Sequence, residues 1–198
     1  MIFPSIKNQE TNKMTKRVFI IHGWDGIPND SWKSWLKREL EKRGFEVIAP
    51  QMPGGEHPKL QEWIKTISNS VVSPDADTYF VGHSLGCIAI VRYLATLSVN
   101  TRAGGCVFVS GFSSNLGIAE IAEFYSSPTD VKKATTHTNN FVIIHSDDDK
   151  DVPMEKAKEF QKQLNARFIL EHNKGHISED DGVKELPSAL KAILDISL

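Results

Sequence analysis

Only two cysteines, Cys87 and Cys106, occur in the 198 residues, too few for a disulfide scaffold and without metal-ligand spacing. No apolar run approaches the roughly 18 residues that span a bilayer. Residues 1–15 turn polar after the first few positions and lack the apolar stretch of a signal peptide. Positive charge is not in excess either. Lys plus Arg number 23 against 25 Asp plus Glu, a net charge of −2, which argues against a nucleic-acid partner, whose phosphates call for clustered cations. Neither G-x-G-x-x-G nor G-x-x-x-x-G-K-[ST] occurs, so no nucleotide loop is expected. Internal repeats, linkers and low-complexity tracts are also missing. These absences leave a cytoplasmic enzyme or binding protein that touches neither membrane nor nucleic acid.

What is there is ordinary for a globular chain: 40% hydrophobic, 24% charged and 9% aromatic residues. At this length one core buries close to about 70% of the unfolded surface. The expected organisation is a flexible leader over residues 1–15, with Met14 as an alternative start, and a single domain over 16–198.

Short β-rich runs alternate with amphipathic stretches. Strands are expected at 17–21 (RVFII), 45–49, 78–81, 105–109, 141–144 and 167–171, and helices at 30–42, 58–72, from 87 to about 97, 154–164 and 182–196. The strand runs are continuously apolar, as burial on both faces requires. Strand–helix–strand repetition implies right-handed crossovers and a mostly parallel sheet of about six strands covered by helices on both sides, an α/β fold. Residues 112–140 break the rhythm. One helical pattern at 115–124 and a Ser-Ser-Pro-Thr-Asp turn suggest a small flap over one end of the sheet.

The sharpest signal is Gly82-His83-Ser84-Leu85-Gly86, a G-x-S-x-G motif where a strand meets a helix. A serine on so tight a turn has a strained backbone, and the chain passes close enough to itself that glycine is needed on either side. Its hydroxyl then projects at a helix N-terminus, where the Leu85 amide and the helix dipole favour an oxyanion. By composition alone the pattern arises in about one chain in twenty; the flanking TYFV and CIAIVRYLATL supply the context that chance does not.

A serine hydroxyl needs a base. Of seven histidines, His176 in Lys174-Gly175-His176 follows the last strand at the end of the sheet where the serine lies. The chain order serine, acid, histidine favours it over His172. His57 and His137 read as exposed loop residues. The acid belongs to Asp147-Asp148-Asp149-Lys150-Asp151, four candidates with the choice open. A divalent-cation site is the rival for this cluster, but the glycine and distal glutamate of a calcium loop are lacking, and the surplus acids read as a solvated loop. His22-Gly23-Trp24-Asp25-Gly26 follows the first strand, an expected neighbour of the serine strand at the topological switch point. Its glycines allow a second amide, that of Trp24, to reach the oxyanion, and His22, Gly23 and His83 are expected to contact substrate. Trp32 and Trp35 share a helix face that packs on the sheet; Cys87 and Cys106 read as small buried hydrophobes.

HGWDG, GHSLG, Asp149-Lys150-Asp151-Val152-Pro153 and Gly175-His176, in this order, resemble the α/β-hydrolase superfamily. The similarity is to the small serine-hydrolase family related to retinoblastoma-binding protein nine and its bacterial counterparts. It extends over most of residues 16–196, including W-x-x-W-L from Trp32, G-x-x-V-x-x-P from Gly44 and M-P-G from Met52. The resemblance implies a compact α/β-hydrolase fold with a minimal lid. It implies Ser84 as nucleophile and His176 as base, and it selects Asp149, three residues before Val152, as the acid in place of Asp148. Two departures concern the acyl pocket: Val131 stands where the family often has tryptophan, and Ser146 where a glycine is common three residues before the acid. The implied activity is cleavage of a small ester, thioester or amide without a cofactor or metal, the partner being a small acyl substrate. The alternative from another class is a catalytically silent module of the same fold that binds a protein or small ligand. The presence of serine, acid and histidine together favours the enzyme.

Overall fold

The computed structural model describes residues 15–198; the expected leader and the Met14 start lie outside the described residues, apart from Thr15. Six strands, β1 (Arg17–Ile21), β2 (Glu46–Ile48), β3 (Thr78–His83), β4 (Gly105–Val109), β5 (Phe141–Ser146) and β6 (Arg167–Glu171), form one sheet in the order β2-β1-β3-β4-β5-β6. All five pairings are parallel. Parallel neighbours need crossovers, and these are supplied by α1 (Ser31–Glu41), α2 (Leu60–Val71), α3 (Leu85–Thr96), the flap with α4 (Val131–Thr135), and α5 (Met154–Leu164). The last helix, α6 (Pro187–Ile196), closes the chain.

The four central strands, β1, β3, β4 and β5, are buried almost throughout because alternate residues enter two different cores, whereas the edge strands β2 and β6 are partly exposed. Phe19, Ile21, Phe80, Cys106, Phe108 and Ile143 face α2, α3 and α5 on one side. Val18, Ile20, Val81, Val107, Val142 and Ile144 face α1 and α6 on the other. Helix α3 is apolar almost all round because it lies wedged between the sheet and its neighbouring helices, with every residue from Leu85 to Leu94 buried.

Connections from β1 leave to one side for β2, and the chain then returns past β1 to β3. Strand order therefore reverses between β1 and β3, where Ile21 pairs with Gly82. The crevice beyond these two strand ends is where an open α/β sheet accommodates ligands. Both His22-Gly23 and His83-Ser84 emerge there.

Two elements differ from expectation. The final helix begins at Pro187, not at 182, because proline disfavours helical backbone at the residue before it: Leu186 has φ −134°, ψ 79°. In the flap the pattern at 115–124 does not form an α-helix; a single 3₁₀ turn, Ala122–Tyr125, and the short α4 replace it. Asn115 there spends its side-chain oxygen on the amides of Gly117 and Ile118, a local turn that competes with helix. Among the described residues no helix is long and apolar enough to cross a membrane.

Candidate active site

Ser84 terminates β3 and caps α3 with φ 50°, ψ −121°, a conformation that is costly for a residue with a Cβ. Its amide donates to the Val109 carbonyl of β4 at 2.9 Å, and its carbonyl accepts from Cys87 N–H at 3.0 Å, so neighbouring elements hold the strained turn from both sides. A Cβ on Gly86 would collide with the carbonyl oxygens of Ile21 and His22, which is why β1 can pass directly beneath the turn. The same crowding applies at Gly23, where a Cβ would lie 3.0 Å from that of Ser84. The Leu85 and Trp24 amides belong to these two abutting segments, and among the described residues neither is used in a backbone hydrogen bond.

On the far side of the crevice His176 Nδ1 lies 3.1 and 3.0 Å from the two carboxylate oxygens of Asp149. The Asp149 side chain is fully buried, whereas His176 keeps 14% of its side chain exposed. Burial alone raises the Asp149 pKa. The His176 hydrogen bond and charge, with the Val152 N–H at 2.9 Å, outweigh it and hold the carboxyl below its ordinary range. A carboxylate so fixed requires the proton of His176 on Nδ1 and leaves Nε2 as the free basic nitrogen.

The neighbouring acids are structural. Asp148 Oδ1 accepts from the amides of Lys174 and Gly175 at 3.0 and 2.9 Å and from Ser146 Oγ at 2.7 Å. Asp147 accepts from Asn173 N–H and pairs with His172. Asp147 and Asp148 are exposed, as expected of a solvated loop, and in addition they staple the acid loop to the histidine loop. Ser146 is part of that staple, because its hydroxyl also accepts from Lys174 N–H at 2.9 Å, a bond that glycine at this position lacks. Asp149, Asp151 and His176 each bring one potential ligand atom within 4.8 Å of the others, but Asp149 and His176 already bond to each other.

Three more histidines support the site without facing the crevice freely. His22, expected to touch substrate, is 1% exposed, and both nitrogens are spent on loops: Nδ1 lies 2.7 Å from Gly23 O, and Nε2 accepts from Met52 N–H at 2.9 Å. Burial lowers its pKa, in keeping with a neutral ring. His83 Nε2–H donates to the His176 carbonyl at 3.1 Å, and its ring lies 5.1 Å from that of His176. Desolvation, with Lys33 and His176 nearby, drives its pKa far down. His145, buried at the end of β5, donates from Nε2 to Val152 O at 3.0 Å and places Nδ1 3.9 Å from Asp149. His137, expected in an exposed loop, is fully buried, with Nδ1 bonded to Thr101 O. Trp32, expected as simple packing, also donates its indole N–H to Ile177 O at 2.7 Å, anchoring the residue after His176.

Ser84, His176 and Trp24 line two chambers. One, about 480 Å³, is apolar, with Leu85, Phe112, Leu116, Ile118, Ile121 and Val152. The other, about 400 Å³, is polar and takes in Gly23, His83, Lys33, Ser178 and Glu179. The flap residues of the apolar wall carry no motif, and the sequence offered no signal for them beyond the broken rhythm.

The profile of the family described as "Serine hydrolase" matches residues 18–195. YdeN of Bacillus subtilis (strain 168) is 35% identical over 175 residues, covering 88% of this chain and 92% of YdeN. The serine hydrolase RBBP9 of Rattus norvegicus is 26% identical over 188 residues, covering 93% and 98%. The crystal structure of the B. subtilis ydeN gene product superposes with a TM-score of 0.87 at 33% identity, over 92% of this chain and 98% of that one. Est1E from Butyrivibrio proteoclasticus shares the fold at a TM-score of 0.72 and 17% identity, over 94% and 90%.

Proposed function

Because the chain belongs to the serine hydrolase family and has the α/β-hydrolase fold, we propose that it cleaves a small ester, thioester or amide through an acyl-enzyme on Ser84. The observation that carries this reading is the convergence on one crevice of a strained serine and a histidine whose far nitrogen is fixed by a buried carboxylate. Ser84 Oγ attacks the carbonyl carbon as its proton passes to His176 Nε2. Asp149 stabilises the resulting imidazolium through Nδ1. The oxyanion is met by the amides of Leu85 and Trp24, aided by the N-terminus of α3. His176 then gives its proton to the leaving oxygen, sulfur or nitrogen as the carbon–heteroatom bond breaks. Water enters, loses a proton to His176, attacks the acyl carbon, and Ser84 recovers its hydrogen. No cofactor takes part in this scheme. The apolar chamber suits the acyl chain and the polar one the leaving group, which must remain beside His176 to receive its proton.

The test is labelling with a fluorophosphonate, read by intact mass. One adduct on the wild type and none on Ser84→Ala or His176→Ala is expected. A folded wild-type protein that takes no adduct would turn the reading toward a silent binding module.

A further inference from the structure

A further cavity of about 410 Å³ borders the flap and shares no lining residue with either chamber of the crevice. At its base is Arg92 of α3, 9% exposed. Among the described residues Arg92 forms no ion pair. Its Nη2 donates to the Ser127 carbonyl at 2.5 Å and Nη1 lies 3.4 Å from Ser127 Oγ, while the Nε–H is left without a partner. Three hydroxyls on the same cavity, those of Ser113, Ser114 and Tyr125, are likewise buried and unpartnered. Nine buried side-chain polar atoms lack a partner among the described residues, and four of them meet here. Such a concentration is unlike scattered packing faults, since buried polar groups are otherwise almost always paired.

The chemistry of the set is one-sided. Every unpartnered group is a donor or can turn its hydrogen inward, the guanidinium carries a full charge, and no Asp or Glu lines the cavity. Burial pushes the Tyr125 phenol up, so it keeps its proton at neutral pH and donates. Water can satisfy the hydroxyls but leaves the guanidinium charge uncompensated. A carboxylate offers two oxygens, whereas donors arriving from α3, from the start of the flap and from its 3₁₀ turn suit a tetrahedral group with three or four.

We propose that this cavity binds a phosphate group, with Arg92 supplying the charge and Ser113, Ser114 and Tyr125 the hydroxyl donors. Its position gives the occupant a consequence. Ser113 and Ser114 directly follow Phe112, whose ring stacks on that of Tyr125 at 5.5 Å and forms part of the apolar chamber wall. Phosphate that fixes Ser113, Ser114 and Tyr125 therefore fixes that wall.

Titration calorimetry with inorganic phosphate at constant ionic strength tests the site on wild type, Arg92→Met and Tyr125→Phe, and phenyl phosphate in a parallel series separates free phosphate from a phosphate borne on a larger molecule. Saturable binding at one site is expected, weakened at least about thirtyfold in Arg92→Met and about tenfold in Tyr125→Phe. Tighter binding of phenyl phosphate identifies an organic phosphate as the occupant, and equal binding the free anion. Should Arg92→Met fail to fold, Tyr125→Phe, which removes one oxygen, carries the comparison. No saturable binding of either probe to the wild type, or equal binding to wild type and the folded variants, overturns the proposal.

Discussion

Two loop systems flank the same crevice and treat their polar groups in opposite ways. In the acid and histidine loops, Asp147, Asp148 and Asp149 each accept at least two hydrogen bonds from the opposing loop or from their own turn. In the flap, Ser113, Ser114 and Tyr125 meet a buried arginine with their hydroxyls unspent. Closely satisfied polar networks favour one geometry, although the buried His145 Nδ1, 3.9 Å from Asp149, has no partner there. Unsatisfied ones retain capacity for a ligand. The difference separates loops whose carboxylates are tied to the His176 segment from a flap whose donors are unspent.

The contrast can be broken by replacing one carboxylate at a time. Asp149→Asn keeps the shape but removes the charge that fixes the His176 tautomer, and kcat is expected to fall about ten-thousandfold with the fold retained; a loss below tenfold in steady-state hydrolysis of a p-nitrophenyl ester would remove Asp149 from its role. Asp148→Asn weakens the staple between the loops without touching His176. A small misplacement of the base costs up to about a hundredfold in kcat, and the same assay should show it with little change in KM.

The flap should respond in selectivity instead. Ile118→Trp fills part of the apolar chamber and is expected to lower kcat/KM for a hexanoyl ester about tenfold relative to the acetyl ester, measured side by side; an unchanged ratio would place the acyl chain elsewhere. The gentlest effect concerns stability against acid. Asp149 has a folded pKa below its ordinary 3.8, so its contribution is complete above that value and is lost as the pH falls through the folded pKa. Denaturant midpoints of Asp149→Asn should therefore decline less steeply than those of the wild type across that window.

Much of this arrangement is legible in the chain. The central strands announce themselves as apolar runs, and Gly82 to Gly86 states the turn because a side chain at Gly86 would strike Ile21 and His22 and one at Gly82 would strike Cys87. His176 follows from its place after the last strand. The acid does not follow from spacing: Asp147, Asp148 and Asp149 are adjacent identical residues, and their separate roles depend on which amides of the histidine loop each one meets. Only the family resemblance singled out Asp149. The buried work of His22, His137 and His145 escaped notice for a similar reason, since each is bonded to a carbonyl or amide contributed by a different segment or by a turn. The flap was visible only as a lapse in periodicity. Its two cavities are assembled from residues far apart in sequence, so no local pattern encodes them.

Acylation of Ser84 is the central step, and quenched-flow hydrolysis of p-nitrophenyl acetate followed by intact mass and peptide mapping tests it most directly. A burst of nitrophenol approaching one equivalent, with one acetyl group on the peptide containing Ser84, is expected in the wild type, with neither in Ser84→Ala. Turnover that persists in Ser84→Ala, or an acetyl group carried by another residue, would contradict it.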